Sequence, residues 1–225
     1  MSDSLYFKKL AEMFKDMSKH AGKLNTALDR ITGIKHDRSH DDLTIIFSAL
    51  SRGRALMKQA LAWESPRVGK DSESAIIRGC QWRLVMAMAG FEIILKGLFQ
   101  NRRELQHQQF IRIAAIAHNV DIPPIKPPKI SIRQTDRWLR DQALFRFLGV
   151  HKYDESILKA WMVEGKAVVG LADQLALIRL LRNCTVHAVL SAHKCKELGL
   201  KPALLHLPEH VAKAWIEIVT ILCAD

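Results

Sequence analysis

Four of the seven prolines fall within six positions: Pro123, Pro124, Pro127 and Pro128. Each fixes φ and removes a backbone donor, so this stretch excludes both helix and strand interior. The expectation for Ile122 to Pro128 is an extended connector. It divides a chain whose remaining periodicity is helical almost throughout.

Before the connector, the segment 41–63 carries Leu43, Ile46, Phe47, Leu50, Met57 and Leu61 mostly at three- and four-residue steps, one stripe of an amphipathic helix. A second helix is expected over about 74–100. Its middle, 84–99, is apolar on nearly every side, as a helix at the centre of a bundle must be. Residues 105–118 read as a third. After the connector, 133–148 and 153–163 read as shorter helices and 171–191 as a long one. Pro208 suits the first turn of a last helix, whose stripe is Val211, Trp215, Ile218, Val219 and Leu222. No alternating run of useful length and no internal repeat occur. The expected class is all-α: an antiparallel helical bundle with a Pro-rich connector and inserted short helices.

At 225 residues the chain is long enough to bury a core without disulfides or metals. Charged residues at 25% and hydrophobic ones at 48% exclude wholesale disorder. The four cysteines, Cys80, Cys184, Cys195 and Cys223, form no C-x-x-C, and Met1-Ser2-Asp3-Ser4 leads into a polar stretch rather than a secretory signal. The expectation is a soluble, cytoplasmic protein with reduced thiols. The longest apolar run, 84–95, already contains Glu92 and is too short to span a bilayer.

Lysine and arginine number 34 against 23 acidic residues, a formal charge of +11 that favours an anionic partner, nucleic acid before membrane. The excess is concentrated. Between residues 101 and 152 ten Lys and Arg stand against four acids, six of the eleven excess charges. Lys126, Lys129, Arg133, Arg137 and Arg140 belong to this cluster, and Trp138 lies among the arginines. Cations interleaved with an aromatic side chain suit single-stranded RNA or DNA. A solvated helix with a core tryptophan has the same composition.

The string that bears most on chemistry is Leu180-Leu181-Arg182-Asn183-Cys184-Thr185-Val186-His187. On a helix beginning near Leu171, Leu171, Leu175, Ile178, Arg182, Thr185 and Val189 share a face, so Arg182 interrupts an apolar stripe and requires an anionic or carbonyl partner. Asn183 and His187, four apart, are helical neighbours. Arg182 and His187 stand about 140° apart on an ideal helix, so both must line a wide groove or the helix must distort. Phosphodiester cleavage needs a proton acceptor near neutral pH and a fixed cation, and His and Arg suit those tasks. Earlier in the chain, Glu92 and Lys96 have the favourable helical ion-pair spacing inside an otherwise apolar segment. Charges placed there belong to a polar cluster at the bundle's centre, with Glu92 the candidate to orient Arg182 or Lys96.

These features together resemble the HEPN superfamily of helical bundles. Its Arg-x(4–6)-His pattern, with a polar residue after the Arg, is matched by Arg182-Asn183-Cys184-Thr185-Val186-His187, and its Glu-x3-Lys by Glu92 and Lys96. The resemblance covers roughly 41–99 and 171–223 of one 225-residue domain, leaving about 101–170 as an insertion. It implies a homodimeric, metal-independent endoribonuclease with a composite site and no cofactor. His187 would serve as general base or acid for attack by the RNA 2′-hydroxyl, Arg182 would stabilise the phosphorane charge, and Asn183 would orient the phosphate or His187. Many members are toxins or defence effectors restrained by an antitoxin or other regulatory protein. Val189 stands where one toxin branch has a Tyr two residues after the His, which argues against that branch.

Two other classes stay open. One is a zinc site from Cys184, His187, His193 and Cys195, whose spacing is not a common finger pattern. The other is a non-catalytic basic bundle that binds RNA or a protein partner. His107, His118, His151, His206 and His210 lack a companion at a telling spacing and are expected at the surface. G-x-S-x-G, P-loop and G-x-G-x-x-G motifs are absent.

Overall fold

In the computed structural model of the chain, the described residues are 3–63, 73–100, 106–117, 122–129, 152–187 and 190–224. Apart from one isolated bridge, their regular structure is α-helical. The elements are α1 (Asp3–Lys15), α2 (Met17–Thr32), α3 (His40–Ala62), α4 (Glu73–Phe99), α5 (Gln106–Ile116), α6 (Lys152–Met162), α7 (Leu171–Val186), α8 (Ala192–Glu197) and α9 (Lys201–Cys223). No helix among the described residues is long and apolar enough to cross a membrane.

The all-round apolar character of residues 84–99 has the expected consequence. α4 is the central helix, packed against α3, α7, α8 and α9, with Leu84, Met88, Phe91, Ile94, Leu95 and Leu98 fully buried. α3 starts at a capping box in which the Ser39 hydroxyl accepts from the Asp42 N–H and the Asp42 carboxylate accepts from the Ser39 N–H. It then runs antiparallel to α4 at very close range. A Cβ on Gly53 would lie 2.4 Å from the Gly90 carbonyl oxygen, and one on Gly97 would lie 2.4 Å from Ala49 Cβ. Small residues at the crossing let the two backbones touch.

α1 and α2 fall in a stretch whose lysines and polar residues mask its stripe. Leu10, Met13 and Phe14, then Leu24, Leu28 and Ile31, recur at helical spacing and are buried. α2 stops at Gly33, whose φ of 66° suits glycine and whose N–H bonds the Asp29 carbonyl.

The last helix corrects one expectation. α9 begins at Lys201, with Pro202 in its first turn, and Pro208 lies inside it. Pro208 has no N–H for the Leu204 carbonyl. The helix nevertheless continues, because Leu204, Leu207, Val211, Trp215, Ile218 and Leu222 bury one unbroken stripe.

The connector is extended, as its prolines require, and is pinned at three points. Ile125 and Val168 exchange backbone hydrogen bonds of 2.9 and 3.0 Å, Trp161 Nε1 donates to the Lys126 carbonyl at 3.0 Å, and Gln174 Nε2 donates to the Pro123 carbonyl at 3.1 Å. The region around it supplies Phe110, Ile113, Ile125, Leu158 and Trp161 to the same core that α3, α4 and α9 build. The helix expected over 133–148 lies outside the described residues.

Candidate functional site

α7 presents the Arg/His string. It starts after Gly170, gains favourable charge at its N-terminus from Asp173, and buries Leu175, Ile178 and Leu181. It is shorter than its sequence suggests. The expected span to residue 191 is cut at Val186, where the His187 N–H bonds the Asn183 carbonyl and the Leu190 N–H bonds that of Cys184. Ser191 then caps α8 by accepting from the Lys194 N–H. The His187 N–H thus makes the last i→i−4 bond of α7, and the Leu190 N–H, reaching six residues back, closes the helix end.

Arg182 finds the partner that an apolar stripe obliges it to find. Its Nη2 lies 2.7 Å from Glu92 Oε2 across the α4–α7 seam, and its Nη1 donates to Asn183 Oδ1, also at 2.7 Å. The Arg182 and Glu92 side chains are 24% and 17% exposed, so the pair is largely withdrawn from water and its charge-assisted bonds are stronger than surface ones. Arg182 Nε is buried and makes no hydrogen bond among the described residues. Burying it costs on the order of 1 kcal/mol or more, which the two Nη bonds offset.

The structure thus unites Arg182, Asn183 and Glu92. Lys96 is exposed and forms no ion pair among the described residues, so the i,i+4 pairing with Glu92 is replaced by the contact across the seam. Exposed, too, is His187, whose ring makes no hydrogen bond among the described residues. Lys126 and Lys129 are exposed on the connector, whereas Arg133, Arg137, Trp138 and Arg140 lie outside the described residues, as do Val189, His118 and His151.

Among the described residues no group of three or more His, Cys, Asp or Glu side chains is placed to hold a metal. Cys184 and Cys195 are buried, and burial pushes both thiols up to about 12, which makes them neutral packing groups and poor ligands or nucleophiles. His193, the other member of the cysteine–histidine constellation, is exposed and pairs with Glu197 at 3.2 Å.

Three polar side chains that residue order did not single out do much to hold this region. Gln81 Nε2, on the α4 face that also carries Glu92, donates to the Leu190 carbonyl at 2.5 Å and reaches Cys195 Sγ at 3.3 Å. It closes the turn behind His187. Gln174, fully buried on α7, donates to the carbonyls of Pro123, Val168 and Val169 while its Oε1 faces His210 Nδ1 at 3.0 Å. That histidine is 6% exposed, which corrects its expected surface placement. Arg83 binds the carbonyls of Ala60 and Leu205, both at 2.8 Å, and the Glu209 carboxylate, joining α3, α4 and α9. The signal for all three was the one that exposed Arg182: a polar residue breaking an apolar stripe. A related pair lies upstream on α7, where Arg179 meets the buried Asp154 of α6 and stacks over Phe110.

No family model, no curated protein and no solved structure matches this chain.

Proposed function

We propose that this chain is a HEPN-type endoribonuclease that cleaves single-stranded RNA without a metal ion. In this reading it acts as a cytoplasmic homodimer, a toxin or defence effector held in check by an antitoxin or other regulatory protein. The observation that carries the reading is the half-buried Glu92–Arg182–Asn183 chain, one helical turn before an exposed His187. A carboxylate and an amide fix the guanidinium, which is what a cation awaiting transition-state charge requires. The exposed imidazole is accessible to substrate at the helix end.

The chemistry follows from those placements. His187 takes the proton of the ribose 2′-hydroxyl, and the 2′-oxygen attacks the adjacent phosphorus. The bond from phosphorus to the 5′-oxygen breaks, and the departing oxygen takes up a proton that the His187 imidazolium returns through solvent, which restores the neutral ring. Arg182 faces the charge on the phosphorane, and the products are a 2′,3′-cyclic phosphate and a 5′-hydroxyl. The required 2′-hydroxyl excludes DNA as substrate. Lys126, Lys129, Arg133, Arg137, Trp138 and Arg140 hold the strand. The dimer is supported by the surface of α4 beside Glu92, where Val85, Met86, Ala89 and Ile93 are only half-buried and Trp82 is 60% exposed. An apolar stripe of this kind suits a second copy, and two copies would bring two Arg/His sets to one groove.

The second reading is a basic bundle that binds RNA or a protein without cutting. It is favoured by one feature: Arg182 already satisfies Glu92 and Asn183, and no side chain among the described residues orients the His187 ring.

The deciding experiment is cleavage of a fluorescent single-stranded RNA in excess EDTA by the wild type and His187→Ala. Because His187 is exposed, its replacement should change stability by less than about 0.5 kcal/mol, which separates chemistry from folding. The expected result is cyclic-phosphate ends from the wild type and a loss of about 10²–10⁴-fold in the variant. RNA bound but uncut by both proteins would establish the binding module. Equal cleavage by both would remove His187 from the mechanism.

A further inference from the structure

A cavity of about 730 Å³ lies between the connector and the start of α9, within the size range of small-molecule sites. None of Glu92, Arg182, Asn183 or His187 lines it. One wall is the proline run, whose rings are held rigid by the connector's three anchors. Opposite stand Ala203 and Leu207 of α9. At the connector's far end the Lys129 carbonyl comes close to Gly199, 3.3 Å from where a Cβ there would lie. A wall built this way is preformed, so a ligand need not order it.

The floor carries a defined hydrogen-bonding group. Three carbonyls surround Gln174 Nε2, which sets the orientation of that amide and makes its Oε1 the acceptor for His210. His210 therefore carries its proton on Nδ1. Its Nε2, with no hydrogen-bond partner among the described residues, offers a lone pair from a ring that lines the cavity. Burial, aided by Lys213, holds the ring's pKa below its ordinary value and so keeps it neutral at neutral pH.

The rim is cationic. Lys126, Lys129, Lys196 and Lys201 face a single carboxylate, Glu73, which pairs with Lys196 at 3.1 Å and lies 3.9 Å from Lys201. Lys126 and Lys129 form no ion pair among the described residues. We propose that this groove binds a small aromatic anion, its flat ring system between the prolines and Leu207, its acidic group at the lysine rim, and an N–H or O–H donated to His210 Nε2. The site does not rest on the ribonuclease reading, although two of its rim lysines, Lys126 and Lys129, are also assigned to the RNA strand there.

The test is fluorescence titration of the full chain with 2-anilinonaphthalene-6-sulfonate, which combines a flat ring system, an anion and an N–H. Two analogues are run beside it: the N-methylated dye, which lacks only the donor, and N-phenyl-2-naphthylamine, which lacks only the sulfonate. One equivalent of the sulfonate should bind per chain. N-methylation should weaken binding about tenfold, the value of one hydrogen bond to a buried acceptor. The variant Lys126→Glu/Lys129→Glu should weaken the sulfonate about tenfold at low salt and leave the uncharged amine within about twofold. Filling the groove by Ala203→Trp should abolish binding of all three, with circular dichroism showing that the variant is folded. The proposal is overturned by undiminished dye binding in folded Ala203→Trp, by equal affinity for the methylated dye, or by sulfonate binding unmoved by the charge reversal. Displacement of the uncharged amine, which does not use the lysine rim, by single-stranded RNA would assign the groove itself to RNA and overturn the proposal likewise.

Discussion

The seam between α3 and α4 and the seams α7 makes with its neighbours are closed in opposite ways. On the first, Gly53 meets Gly90 and Ala49 meets Gly97, backbone nearly against backbone, with the bond from Arg83 to the Ala60 carbonyl as a polar tie toward one end. On the second, Glu92 grips Arg182, Gln81 holds the turn behind His187, and Gln174 is bonded to His210. Gly90 and Glu92 stand about 200° apart on α4, so one helix serves both kinds of contact. The lesson is that a dry seam fails by shape and a polar seam by loss of a partner.

The sharpest challenge to the dry seam is Gly90→Ala. Its Cβ would fall 2.5 Å from the Gly53 carbonyl oxygen, and backbone cannot step aside as a flexible side chain can. A loss of about 3 kcal/mol is expected in denaturant unfolding, overriding the gain in helix propensity. An unchanged midpoint would mean the helices are farther apart than this distance requires. Next comes the polar seam. Glu92→Leu leaves the Arg182 guanidinium half-buried without its carboxylate, for a loss of about 2 kcal/mol. Adding Arg182→Met should restore part of that loss. A double variant less stable than the single would show that the pair stabilises in its own right instead of mutually relieving buried charge.

Acid should distinguish the seams further. His210 has a depressed pKa in the folded protein, so its neutral form contributes stability that is complete above the unfolded value near 6.5 and lost as pH falls through the folded value. Thermal midpoints measured from pH 7.5 down to 5 should decline with a slope of at most about 1.4 kcal/mol per pH unit from this group, and His210→Gln should flatten the decline. The smallest effect is a control on the first. Gly22 lies within α2 with nothing within 4 Å of where its Cβ would lie, so Gly22→Ala should stabilise by about 0.5–1 kcal/mol. If both glycine variants moved the same way, propensity rather than contact would govern the α3–α4 seam.

Much of this could be read from residue order. The proline run demanded an extended connector, and the apolar surround of residues 84–99 demanded a central helix. Arg182 within a stripe demanded a partner, and Glu92 was the available anion. What escaped was set by neighbours distant in sequence. α1 and α2 were hidden because lysines and polar residues crowd their few anchoring apolar positions. The turn that follows α7 at Val186 is held by Gln81, which stands 109 residues before Leu190 in the chain.

By itself the sequence determined the helical class, the place where helix must stop for proline, and the need of each polar residue in an apolar stripe for a partner. These follow from local sterics and from the cost of burying unpaired polar groups, both properties of single residues. Tertiary structure alone decided which partner each one took. It gave Glu92 to Arg182 rather than to Lys96, His210 to Gln174 rather than to solvent, and carried α9 through Pro208. The physical reason is that such choices rest on distance and solvent exclusion between segments as many as ninety residues apart in the Glu92–Arg182 case, quantities that exist only once the helices have packed.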